Sequence, residues 1–183
     1  MSSITSLYKL IDLIPPPEYP VGGHGDWKRF VSANGFWPPE DYRMMVREYG
    51  MGCFGDWLCL IEPFPPGGAY LQVAEVECQT LRANKRKSPT SYPDWPIWPD
   101  DGGLLPWGKT VTGDYIGWRT VGKPAAWTTL FWGGGQLPSK EFSLTTVDFL
   151  VGLVQRSLGD PSFDSGKNPF VLPDGQRFLP AGS

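Results

Sequence analysis

Apolar positions recur along this chain first with the spacing of helices and later with that of strands. Leu7, Leu10, Ile11 and Ile14 share one helical face, which predicts a first helix over 5–14, ended by Pro15, Pro16 and Pro17. After a glycine-rich turn over 21–25, Asp26 is a good N-cap for a short helix bearing Trp27, Phe30 and Val31, with Asn34-Gly35 as its stop. Pro38 and Pro39 suit a first helical turn, and Glu40 and Asp41 sit where the helix dipole favours carboxylates. Tyr42, Met45, Val46 and Tyr49 form the buried stripe of this third helix, which Gly50 closes. Gly52 and Gly55 read as a loose turn before a strand over 57–61.

Residues 70–87 hold few breakers and end in Lys85-Arg86-Lys87, cations that suit a helix C-terminus, so a long helix is expected there. Residues 88–103 carry four prolines between Tyr92, Trp95 and Trp98, which excludes regular helix and central strand and leaves a packed, irregular loop. The texture then changes to short alternating runs at 104–107, 115–120, 126–132 and 137–142, an antiparallel meander. Ile116 and Trp118 share one face and Tyr115, Gly117 and Arg119 the other. Trp127, Thr129 and Phe131 likewise alternate with Thr128, Leu130 and Trp132, so both faces of the sheet should be at least partly covered. Thr145 and Asp148 resemble a capping box for a helix whose apolar face is Val147, Leu150, Val151, Val154 and Leu158, with Gly159 as its stop. Phe163, Phe170, Leu172 and Phe178 give the tail enough apolar area to dock on the body.

Composition changes this picture little. With 183 residues, 40% apolar, the chain can bury a core without metal or disulfide staples. A net charge of -3 disfavours direct contact with a phosphate backbone. Cys53, Cys59 and Cys78 are odd in number and lack C-x-x-C or zinc-type spacing, which fits reduced thiols in a cytosolic protein. The apolar run over 10–14 is broken by Asp12, followed by prolines, and has no small-residue cleavage site. A cytoplasmic protein without a membrane span is expected, with a monomer as the default state.

Candidate chemistry is thin. His24, the only histidine, lies in Gly-Gly-His-Gly-Asp, but no nucleophile motif accompanies it and a turn role is the plainer reading. The glycines at 22, 23 and 25 lack the Lys-Ser/Thr of a phosphate loop. Glu40, Asp41, Asp94, Asp100, Asp101 and Asp114 contain no pair that its local turn or helix start fails to explain. The nine tryptophans suit sugar stacking or, more simply, a core; Arg82, Lys85, Arg86 and Lys87 suit a solvated helix end. No catalytic residue, metal ligand or cofactor is expected.

Three motifs carry a family resemblance. Pro-Pro-Glu-Asp-Tyr-Arg at 38–43 followed by Glu-Tyr-Gly at 48–50, the run Gly-Gly-Leu-Leu-Pro-Trp-Gly at 102–108 with Thr110, Gly113-Asp114 and Trp118, and Lys-Pro-Ala-Ala-Trp at 123–127 resemble the SUKH superfamily. That group contains immunity proteins and cell-wall regulators of the Smi/Knr type. Phe149-Leu150 fits the family's terminal helix, and the resemblance spans about 36–170, with 1–35 as a helical extension. It implies an α+β fold in one domain over 1–183: a central, mostly antiparallel sheet flanked by N-terminal, middle and C-terminal helices. It also implies a non-enzymatic immunity protein that binds a cognate bacterial toxin, a nuclease-type effector being one class. A scaffold or regulatory module of the same fold is the alternative, and a small hydrolase the third reading. Trp95 and Trp98 are the candidate anchors for such a partner, and Asp100 and Asp101 the candidate steering charges. The same four residues read equally well as core plugs and turn formers.

Overall fold

Hairpins and short returns build most of the molecule. The computed structural model describes residues 3–66, 69–134, 137–165 and 178–182. In chain order the elements are α1 (Ser3–Leu13), α2 (Trp27–Asn34), α3 (Glu40–Tyr49), β1 (Gly52–Phe54), β2 (Leu58–Leu60), α4 (Tyr70–Lys87), β3 (Leu104–Thr110), β4 (Tyr115–Arg119), β5 (Thr128–Trp132), β6 (Lys140–Phe142), α5 (Thr146–Gln155), α6 (Pro161–Asp164) and β7 (Phe178–Pro180). The strands form one seven-stranded sheet in the order β6-β5-β4-β3-β2-β1-β7, antiparallel throughout. The fold is therefore the expected single α+β domain, with helices packed on an antiparallel sheet.

The alternation in the central strands divides the core into two layers. Leu105, Trp107, Ile116, Trp118 and Phe131 face the larger one, with α1, α2, α3 and α5. Leu104, Tyr115, Leu130 and Trp132 face the smaller one, roofed by Cys78 and Leu81 of α4 and by Tyr92, Trp95 and Trp98 of the proline-rich loop. Long helix α4 serves both, since Tyr70 and Ala74 in its first turns belong to the larger layer. The Pro-Trp-Gly corner is a break in register: β3 and β4 slip between Pro106 and Gly108, which lets a proline sit in a central strand. The Pro106 carbonyl, freed from a regular ladder, accepts the Tyr70 hydroxyl at 2.5 Å. Gly117 lies opposite; a Cβ there would stand 2.5 Å from the Leu105 carbonyl oxygen.

The capping signals that were legible act as expected at two helices. Asp26 accepts from Lys28 N and Arg29 N at 2.9 and 3.1 Å, and Gly35 closes α2 at φ 79°. Thr145 accepts from Asp148 N at 3.3 Å at the start of α5. Helix α5 stops earlier than its apolar pattern suggests: Arg156, at φ 54°, takes the left-handed position expected of Gly159. Ser157 N then bonds the Gly152 carbonyl at 2.9 Å, and Leu158 folds back against Gly152. Two strands were not anticipated. Residues 52–54, read as a loose turn, are β1, which pairs with β2 on one side and with β7, distant in sequence, on the other. Of the tail's apolar residues Phe163 and Phe178 are buried; Phe170 and Leu172 lie outside the described residues.

The cysteine expectation is corrected. Cys53 and Cys59 face each other across the β1–β2 hairpin and form a disulfide, while Cys78 is free and buried. A hairpin sets two residues opposite through its register, not through the C-x-x-C or metal-type spacing that the sequence lacks. Among the described residues, no helix is long and apolar enough to cross a membrane.

Candidate functional site

The proline-rich loop is held along its length, and α4 does most of the holding. Arg82 donates to the Ile97 carbonyl at 3.3 Å and also to the Trp98 carbonyl, and pairs with Glu75 at 3.1 Å. Lys85 reaches the Asp94 carboxylate at 2.8 Å and the Trp95 carbonyl at 3.5 Å. The Lys85 ammonium keeps the Asp94 carboxyl below its ordinary range through that bond and its charge. On the sheet side, Leu104 N bonds the Pro96 carbonyl at 3.0 Å and Trp98 N bonds the Leu104 carbonyl at 3.1 Å. The basic cluster is thus divided: Arg82 and Lys85 fasten the loop, whereas Arg86 and Lys87 are exposed at the helix end.

The four candidate partner-binding residues lie close together but differ in exposure. Trp95 is half-buried and meets Trp132 edge-on at 6.2 Å. Trp98 is half-buried where the two core layers meet. Asp100 and Asp101 are exposed on a tight turn, with Asp100 N bonded to the Ile97 carbonyl at 3.0 Å and Gly103 N to the Asp100 carbonyl at 2.9 Å. Asp94, Trp95, Pro96 and Asp100 border a shallow hollow of about 390 Å³ whose other wall is Arg82 and Lys85. The loop therefore leaves Trp95 and Trp98 partly exposed and three aspartates, Asp94, Asp100 and Asp101, on the surface.

The other polar constellations serve the fold. Asp114 is buried and accepts from Thr110 and Thr112 hydroxyls at 3.0 and 2.7 Å and from Gly134 N at 2.8 Å. Asp41 is buried on α3 and accepts from Val147 N at 2.8 Å, capping α5 from a neighbouring helix. Glu40, beside it in sequence, is exposed, so the two carboxylates share no cleft. Glu77, Lys109 and Tyr115 form a trio that sequence reasoning missed: Lys109 and Tyr115 both reach Glu77 Oε2, at 3.0 and 2.5 Å. Burial, then the bond to Glu77, pushes the Tyr115 hydroxyl up to about 12, and the bond to Tyr115 raises Lys109. Both move away from the near-neutral range a general acid or base needs. Burial likewise pushes the Cys78 thiol up to about 12, leaving it a poor nucleophile.

His24 is exposed on the 22–25 loop, and its hollow is lined by glycines, Trp27, Arg43, Met44 and Arg47. None of these supplies a nucleophile or a carboxylate to orient the imidazole. Among the described residues, no group of three or more His, Cys, Asp or Glu side chains is placed to hold a metal ion. The tryptophans mostly fill the core: Trp107, Trp118, Trp127 and Trp132 are buried, and among all nine only Trp37, at 46%, is exposed. The chain matches no protein-family model, no curated protein and no solved structure.

Proposed function

We propose that the protein is a non-enzymatic immunity protein of the SUKH type, which neutralises a cognate bacterial toxin by covering its working site with a preformed surface. The observation that supports this reading best is the fixed presentation of loop 88–103. Arg82 and Lys85 on one side and Leu104 on the other hold its backbone, so a partner meets Trp95 and the aspartates already in place. Prior ordering lowers the entropic cost of association. The motif resemblance at 38–50, 102–118 and 123–127 points the same way.

The proposed partner is a protein toxin, and opposite charge at Asp94, Asp100 and Asp101 suits a basic toxin surface. The proposed compartment is the cytoplasm, against which the Cys53–Cys59 bridge argues, since disulfides persist in oxidising surroundings. A scaffold role would use the same surface with an endogenous complex as its target. Co-expression separates these readings: the protein should protect cells expressing the toxin encoded beside it and co-purify with that toxin. Absence of both protection and a complex would remove the immunity reading, and turnover of a small substrate that His24→Ala abolishes would favour a hydrolase.

A further inference from the structure

We infer that a second surface, centred on Arg43 and Arg47, is a carboxylate-binding site for an acidic segment of a partner protein. It shares with the proposed function only the premise that the molecule works by binding. A hollow of about 330 Å³ lies between the 22–25 loop and the outer face of α3, with His24, Trp27, Arg43, Met44 and Arg47 on its walls. Its lining holds two guanidinium groups and an imidazole but no carboxylate, on a molecule whose net charge is -3. Arg43 bonds the Pro38 carbonyl through Nε at 3.2 Å and stacks 5.0 Å from the centre of the Trp37 ring. That stacking fixes the guanidinium beside the one exposed tryptophan among the described residues. Arg47 is 58% exposed and, among the described residues, pairs only with its neighbour Glu48, at 2.8 Å. A surface pair of that kind is weak, so an incoming carboxylate can replace Glu48 at small cost.

Backbone bonds tie the loop wall of the hollow to itself and to the chain just past α3. Gly23 N and Gly25 N bond the carbonyls of Pro20 and Gly22 at 3.1 and 3.2 Å, and Met51 N bonds the Val21 carbonyl at 2.6 Å. Gly23 is pressed onto the end of α3, where a Cβ would stand 2.7 Å from the Arg47 carbonyl oxygen. Arginine forks match carboxylates in shape and charge, and exposed tryptophan beside arginine is the usual composition of an interface anchor. Met44 on the wall, and Trp37 outside the hollow but stacked on Arg43, offer apolar surface that free phosphate would not use, and the chain's net negative charge opposes a nucleic-acid backbone. A glutamate or aspartate side chain flanked by apolar residues complements both the guanidinium groups and the apolar surface beside them.

The test uses an uncharged-ended peptide of alternating Glu and Leu, its Lys-for-Glu counterpart and inorganic phosphate, each titrated into the full chain. The readout is the NMR side-chain signals of His24, Arg43 and Arg47. The Glu peptide should shift all three saturably, with affinity falling as salt is added, while the Lys peptide and phosphate leave them in place. Arg43→Gln with Arg47→Gln should weaken the Glu peptide by about tenfold or more, and Trp37→Ala by about fivefold, with the amide spectrum retained. Unmoved signals, equal binding by the double variant, or phosphate binding as tightly as the peptide would each overturn the assignment. A toxin complex that forms although the Glu peptide does not bind would overturn it too, while leaving neutralisation standing.

Discussion

Tyr42 and Tyr70 carry the same hydroxyl into the same core layer, and only one of them finds a partner. Tyr70 donates to Pro106 at 2.5 Å, whereas Tyr42 Oη, like the indole nitrogens of Trp107 and Trp132, is buried with no hydrogen-bond partner among the described residues. An unpaired buried donor costs its desolvation, and removing it relieves that cost. Tyr42→Phe should therefore leave stability unchanged or raise it by up to about 1 kcal/mol in urea unfolding, and Tyr70→Phe should lower it by about 1 kcal/mol. A loss on Tyr42→Phe as large as that on Tyr70→Phe would contradict this account. Asp41 is the charged counterpart. Burial raises its carboxyl above the ordinary value of 3.8, outweighing the bonds from Val147 and Thr145, and the Asp148 charge adds to the rise. The folded state thus keeps a proton that the unfolded state gives up. Stability falls as pH rises from 3.8 through the folded pKa, and above that window the loss is complete. Asp41→Asn keeps an acceptor for Val147 and should flatten this slope, while matching or exceeding wild-type stability at neutral pH. Asp41→Ala, which uncaps α5, should cost about 1–2 kcal/mol in the same unfolding experiment.

At the scale of elements, the β1–β2 hairpin is joined by the cross-strand disulfide between residues six apart. Closing so short a loop removes little freedom from the unfolded chain, and the loop-entropy relation puts the effect at about 2 kcal/mol. Reduction, or Cys53→Ser with Cys59→Ser, should lower stability by about that amount and leave helical content intact. No change in the urea midpoint on reduction would count against the bridge. Elements whose causes are local were legible in the sequence. Helix α4 spans the predicted 70–87, Asp26 and Gly35 bound α2, and the face alternation in 115–119 and 127–132 divides the core as expected. What was not legible depends on pairing and packing: β1 pairs with β2 on one side and with distant β7 on the other, the disulfide follows from the β1–β2 register, and the Asp41 cap exists because α3 lies beside α5. Helix α5 ends early because Arg156 already takes a left-handed conformation at φ 54°, ahead of Gly159 at φ 74°, and Leu158 between them folds back on Gly152.

For the whole molecule, a sheet covered on both faces leaves loops and helix exteriors to meet other molecules. The candidate residues of the proline-rich loop were visible from composition, but their division into half-buried tryptophans and exposed aspartates was not, because it depends on Arg82 and Lys85 reaching across from α4. The arginine hollow was hidden for a related reason: Trp37 and Arg43 read as a helix entry until the 22–25 loop closes over α3. If the aspartate rim steers encounter, Asp100→Lys with Asp101→Lys should slow association with a basic toxin by about tenfold while leaving unfolding nearly unchanged. The central claim is that the protein acts by occupying a toxin, and calorimetric titration of the toxin encoded beside it tests this most directly. A saturable complex that silences the toxin in proportion to its formation is the predicted result. A toxin that gives no binding heat and stays fully active in excess protein would contradict the account.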